Sequence, residues 1–294
     1  MAKLTHLIPW IILISLYSCE ENYTDPEIRD GFILVINDTL IYNSNSINFY
    51  DFSSHLIYLK EGNFSFSGFG SFSVSVDKEE IYSGQMFPLY SSYLPAGPVI
   101  PCAPSFYDDF IIPIEFFQVT DPEGITNEDP RNDTRIIEAL KKYDQYRQGM
   151  TMDILSIEKT DLDKLTMTVG ITNHDSETVL IPDPEKMGME LFHYYTNGLT
   201  LVDSLNNSYT HKITPEGPNP YDSWEKDWLT EVKENEIRTF TIVYNDFESF
   251  PPGNYTARFV YPGMSYQIER KNLEQRNGRI WLGEIKISKE IAIE

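Results

Sequence analysis

The chain has 294 residues, of which 41% are hydrophobic and 14% aromatic, a composition that can bury a core and does not fit an acidic disordered tail. Its 45 acids against 23 lysines and arginines give a net charge of −22. That excludes nucleic acid as a partner, because a phosphate backbone needs a basic stripe and the densest cationic segments here are the pairs Lys141-Lys142 and Arg270-Lys271.

Residues 1–18 read as a signal peptide. Lys3 is the one cation, no acid precedes Glu20, and the apolar stretch is too short to span hydrocarbon as a helix. Leu16-Tyr17-Ser18-Cys19 resembles the lipobox of bacterial lipoproteins: Leu16, Ser18 and Cys19 match, and Tyr17 stands where that family prefers a small or branched residue. The resemblance implies that Cys19 is the lipidation site, with a diacylglycerol thioether and an acylated amino terminus. The membrane would then be a partner through a lipid anchor, since several buried acyl chains hold where one is marginal. An ordinary secretory leader with an incidental cysteine is the alternative. Glu20-Glu21-Asn22 is similar to the acidic stretch after the anchor cysteine in surface-exposed lipoproteins of Bacteroidota. This implies a cell-envelope location on the outer membrane, facing outward. Residues 19–30 contain Pro26 and few apolar side chains, and read as the lipidated tether.

Residues 31–120 are expected to form an N-terminal β domain. Phe32 to Ile36 is a continuous apolar run, and Leu56 to Lys60 a second strand. In Phe64 to Val76 the even positions Phe64, Phe66, Phe72, Val74 and Val76 share one face, with Gly68 and Gly70 marking a bulge or a hairpin tip. A long loop with Pro88, Pro95, Pro98, Pro101 and Pro104 follows, the best hint of a binding loop in this half. It holds Cys102, which reads as a buried small apolar residue, because a reactive thiol would need a partnering histidine. Phe110 to Val119 resumes as a strand interrupted by Pro113, which suits a sheet edge.

Residues 121–149 read as an acidic connector followed by one helix, from Asp133 or Thr134 to Gln148, with Gly149 as C-cap. Its stripe of Ile136, Ile137, Leu140 and Tyr143 is expected to pack between the two halves. Residues 150–294 form the second β domain. Leu165 to Thr172 alternates, Leu191 to Tyr195 leads through Asn197-Gly198 into Leu199 to Val202 as a hairpin, and Ile237 to Tyr244, Tyr255 to Tyr261 and Ile280 to Ile287 are the later strands. Pro252-Gly253-Asn254-Tyr255-Thr256-Ala257 resembles the tyrosine corner of immunoglobulin-like sandwiches, with Ala257 where antibody domains place a cysteine. The fold class is therefore mainly β: an N-terminal β domain, one connecting helix and a C-terminal immunoglobulin-like β-sandwich.

No catalytic residue can be named. His55, His174, His193 and His211 have no metal-ligand spacing, and no HExxH, CxxC pair, GxSxG elbow, SxxK or phosphate loop occurs. His193 reads as a strand residue with a hydrogen-bond partner. No cofactor is expected. Asp108-Asp109, Asp161 with Asp163, and Asp183 with Glu185 read as solvated turn residues. Asp121, Glu123, Asn127, Glu128 and Asp129 lack the alternating spacing of a calcium loop. The candidate ligand-binding residues are Tyr221, Trp224 and Trp228, whose rings alternate with polar residues and could stack on a glycan or anchor an envelope protein. Against that, the i, i+4 spacing of Trp224 and Trp228 suits burial under the sandwich.

These features point to a membrane-anchored envelope lipoprotein with a non-enzymatic binding or structural role in glycan or protein recognition. The alternatives are a tethered carbohydrate-active hydrolase using a carboxylate pair, or an envelope-assembly or inhibitor module that captures a strand at a sheet edge.

Overall fold

The computed structural model describes residues 30–65, 68–92, 95–103, 105–118, 128–196, 198–212, 214–221, 223–264 and 268–294. The leader, Cys19 and the tether as far as residue 29 lie outside the described residues, as do Asp121, Glu123 and Asn127. The protein is mainly β.

The first half contains β1 (Phe32–Ile36), β2 (Leu40–Tyr42), β3 (Ile47–Asp51), β4 (Leu56–Leu59), β5 (Gly70–Val76) and β6 (Glu79–Pro88). It continues through β7 (Gly97–Ala103), β8 (Ile111–Pro113), β9 (Glu115–Phe117), α1 (Thr134–Lys142) and β10 (Tyr146–Arg147). One sheet runs β2-β1-β5-β6-β7-β9 and the other β10-β3-β4-β8. In β5 the expected alternation holds, with Phe72, Val74 and Val76 buried and the serines between them facing out.

Two strand expectations for this half fail. The proline-rich segment is not all loop: β7 runs through it, parallel to β6, because Val99, Ile100 and Cys102 are apolar enough to bury. Pro101 is tolerated because β9 pairs only with Gly97 to Val99, leaving that side of β7 unpaired at Pro101. Phe110 to Val119 is not one strand either, since β8 and β9 belong to different sheets; Pro113 does fall on an edge strand, β8.

α1 is capped by Asp133, which accepts from the Arg135 amide at 2.9 Å. The helix ends at Lys142 rather than Gln148, because Asp144 turns at φ 57° and the chain then pairs in parallel with Tyr50 and Asp51. Its buried residues Ile136, Ala139 and Leu140 join Leu34, Ile57, Val74 and Ile100 in the core of the first half. The stripe therefore does not pack between the halves, as its sequence suggested.

The second half contains β11 (Met150–Lys159), β12 (Leu165–Asn173), β13 (Val179–Pro182), α2 (Pro184–Met187), α3 (Met189–Tyr195), β14 (Thr200–Asp203) and β15 (Ser208–Thr210). After these come β16 (Leu229–Val232), β17 (Ile237–Tyr244), β18 (Gly253–Tyr261), α4 (Arg270–Leu273), β19 (Glu274–Gln275), β20 (Gly278–Ile280) and β21 (Ile285–Ile293). Three sheets, β11-β12-β17, β16-β13-β20-β19 and β15-β14-β18-β21, share one core in which Val169, Ile181, Tyr261 and Trp281 meet. The Tyr255 hydroxyl donates to the Pro251 carbonyl, the bond that the tyrosine-corner resemblance implies, and Ala257 is fully buried.

Leu191 to Tyr195 is helix α3, not a strand. Five apolar residues do not distinguish the two periods, and a helical turn buries Phe192 and His193 while leaving Tyr194 exposed. Ile280 to Ile287 is likewise divided between β20 and β21 in separate sheets.

Between the halves lies a third apolar cluster. Phe49, Leu56, Tyr58 and Phe110 of the first half pack against Leu180, Leu229, Ile280 and Leu282 of the second. Asp51, Asp175 and Arg279 are buried at this seam, 0%, 3% and 1% exposed. Arg279 Nη2 lies 3.4 Å from Asp175, and the guanidinium sits 4.7 Å and 5.4 Å from the ring centroids of Phe49 and Tyr58. Charge pairing and aromatic faces together make an otherwise costly burial tolerable.

Candidate functional site

The sequence-nominated aromatic loop is split by the fold. Tyr221 is 71% exposed, whereas Trp224 and Trp228 are half-buried against the seam cluster. Trp228 also lies 6.3 Å from the Tyr195 ring. The loop thus presents one large ring to solvent and spends the other two on packing. Cys102 is buried in the first core. His174 bonds Thr151 at 2.8 Å. Asp183 is not a solvated turn residue: it is buried and caps α2 through the amides of Glu185 and Lys186. Asp129 is occupied by Arg131 at 2.6 Å.

A surface groove of about 750 Å³ runs beside β16. Much of its polar lining is already satisfied. Lys186 donates to the Leu229 carbonyl at 2.6 Å, Arg238 reaches Thr230 at 3.0 Å, and Glu231 takes the Asn277 amide at 2.7 Å. The smaller cleft at the seam is different in kind.

That cleft, of about 290 Å³, is formed by Ser53 to Leu56, Tyr107, Pro113 to Phe116 and Arg131 from the first half, and by Glu284 to Lys286 from the second. Its size is at the lower end of ligand pockets, about 300–1,000 Å³. Asp51, buried behind the cleft, holds the turn that forms one wall. At the end of β3, its Oδ1 accepts from the Ser53 hydroxyl at 2.7 Å and from the Ser53 and Ser54 amides at 3.1 and 3.3 Å, a local turn typical of Asp. Its Oδ2 accepts from Trp281 Nε1 at 3.2 Å, so the same carboxylate ties the turn to the second half. Gly283 lets the two backbones approach: a Cβ there would lie 2.3 Å from that of Ser54.

The turn delivers Ser54 and His55 to the cleft. His55 sits at φ 53°, a left-handed conformation that is uncommon for non-glycine residues and often stored at functional sites. Its Nδ1 is engaged with the Tyr50 hydroxyl at 2.9 Å, which leaves Nε2 as the ring nitrogen for a ligand. Burial, reinforced by the Arg131 charge, pushes its pKa down to about 3, so the imidazole is neutral. Ser54 Oγ is buried without a hydrogen-bond partner. Burial also raises the pKa of Glu115, with Glu284 adding to the shift and Lys286 and Arg131 opposing it.

Four charged side chains line the cleft, Arg131, Lys286, Glu115 and Glu284. Arg131 is consumed by Asp129 and by the Ile114 carbonyl, and Lys286 faces Glu284 at 3.7 Å. What remains is a hydroxyl, a neutral imidazole and a carboxyl, backed by the apolar surfaces of Pro113, Ile114, Phe116 and Ile285. Ser54 and His55 make no hydrogen bond to each other, so no activated serine is assembled. Sequence reasoning missed this site because its residues come from five separated segments. The one signal was Asp51-Phe52-Ser53-Ser54, which favours a turn between two apolar runs.

Among the described residues, no group of three or more His, Cys, Asp or Glu side chains is placed to hold a metal ion, and no helix is long and apolar enough to cross a membrane. Compared with known proteins, the chain matches no family model and no curated relative.

Proposed function

We propose that the protein is a cell-envelope lipoprotein, held to the outer membrane through Cys19, whose two β halves form a non-enzymatic recognition unit. The seam cleft takes an uncharged, hydroxylated ligand of the size of a sugar ring. The observation that carries this reading is the buried, unpartnered Ser54 hydroxyl beside a neutral His55, in a lining whose two cations are already paired and leave none to hold an anion. A buried hydroxyl without a partner costs about 1–3 kcal/mol until a ligand or water satisfies it. Neutral groups that donate and accept select another neutral, polar molecule, and the apolar walls suit the C–H face of a sugar.

Isothermal titration of the soluble chain with a panel of neutral mono- and oligosaccharides tests the proposal, with uronic acids and sugar phosphates as charged comparators. Binding of a neutral sugar that Ser54→Ala weakens about tenfold, roughly one lost hydrogen bond of 1.4 kcal/mol, supports it. Preference for the charged compounds, or no binding across the panel, contradicts it.

Glu115 and Glu284 lining the same cleft favours a second reading, a tethered glycoside hydrolase with Glu115 as the acid. Turnover of glycosides that Glu115→Gln abolishes would establish it in place of recognition alone.

A further inference from the structure

A second group of polar side chains lies inside the other half of the molecule, away from the cleft. The rings of His193, from α3, and His211 have centroids 4.8 Å apart. Tyr244, at the end of β17, lies 4.7 Å from His193 and 5.4 Å from His211. His193 and His211 each contribute a buried ring nitrogen with no hydrogen-bond partner, Nδ1 and Nε2, and beside them lies the buried Tyr244 hydroxyl, which interacts with the Leu199 backbone.

Orphaned buried polar atoms are rare, and two on rings in contact call for a shared guest. The bonding on the far sides of the rings indicates its character. His193 Nε2 lies 2.8 Å from the Val243 carbonyl and must donate to it, so in the neutral ring Nδ1 carries a lone pair. His211 interacts with the Asn245 backbone, and since Nε2 is its unpartnered nitrogen, that contact belongs to Nδ1. Its Nε2 therefore carries a lone pair as well. Two lone pairs cannot satisfy one another. A backbone carbonyl holding the opposite ring nitrogen is also the arrangement that orients metal-binding histidines.

We propose that His193 Nδ1 and His211 Nε2 bind a late transition-metal ion, Zn²⁺ or Cu²⁺, with Tyr244 as its hydroxyl neighbour and water completing the coordination. Imidazole pairs suit these ions and not Mg²⁺ or Ca²⁺, which take oxygen ligands. Tyr244 is placed beside the two nitrogens as a hydroxyl neighbour that donates a hydrogen bond to a metal-bound water. His211 is only half-buried, which gives the ion a way in. His193 on a short helix and His211 after β15 would be joined by the ion, stapling α3 to the segment that bridges at Phe247.

The test uses the full chain stripped with chelator, then titrated separately with ZnCl₂, CuCl₂, MgCl₂ and CaCl₂, with metal content after gel filtration and thermal unfolding as readouts. One retained equivalent of Zn²⁺ or Cu²⁺, a raised Tm, and about tenfold or greater weakening by His193→Gln and by His211→Gln are expected, with Tyr244→Phe binding within a few fold. Cu²⁺ should show two nitrogen couplings by electron paramagnetic resonance. If His193→Gln fails to fold, His211→Gln decides, its ring being the less buried. Unchanged metal retention in these variants, no retention by the native chain, or a crystal grown in excess ZnCl₂ with only water between the rings overturns the proposal.

Discussion

His55 concentrates several unfavourable choices in one residue: a left-handed backbone, a buried ring and a neighbouring guanidinium. Its folded pKa of about 3 lies below its ordinary 6.5. The unfolded chain therefore takes up a proton at a higher pH than the folded one. The stability contributed by the neutral ring is complete above about pH 6.5 and is lost as pH falls from there toward 3, at up to about 1.4 kcal/mol per pH unit. His55→Asn keeps a side chain that tolerates positive φ and removes the titration. Urea unfolding at pH 7 and pH 5 is expected to show the native chain losing about 1–2 kcal/mol more than the variant; equal losses would mean that the ring is solvated. Ser54 works with it at this scale. Neither was legible from sequence as a site residue, because one serine among many carries no signal until a fold leaves its hydroxyl without a partner.

Elements were read best where one period dominated. β12 and β17 appear close to where alternation placed them, since β12 along its length and β17 from Phe240 onward bury alternate side chains against a single core. The helix start was legible through Asp133, and its end was not, because the chain leaves the helix to pair with β3, a contact between residues far apart in sequence. β7 and α3 were misread for the same reason: proline content and a five-residue apolar run are local signals, and tertiary burial overrode them. The corner at Tyr255 was legible from six residues. Tyr255→Phe removes its bond to the Pro251 carbonyl without changing the packing and is expected to cost about 1–2 kcal/mol in chemical denaturation. No loss would show that the hydroxyl is satisfied equally well by water.

At the scale of the whole molecule, the seam turns two sheet assemblies into a single cleft. Arg279 stands between two buried aspartates, so Arg279→Met leaves Asp51 and Asp175 uncompensated, and a loss of about 3–5 kcal/mol is expected. The halves should then melt in separate steps, whereas one unchanged transition would mean that the apolar cluster alone couples them. Gly283→Ala pushes the second half against Ser54 and is expected to weaken ligand binding more than it weakens either core. The seam was invisible in the sequence, where Asp51, Asp175 and Arg279 are scattered members of a charged chain. The proposed function places ligand recognition at this seam. Amide and imidazole chemical shifts of the isotope-labelled chain, followed during titration with a neutral oligosaccharide, are expected to change at His55, Glu115 and Ile285, on both sides of the cleft; changes confined to Tyr221, Trp224 and their neighbours, or none at all, would rule out recognition there.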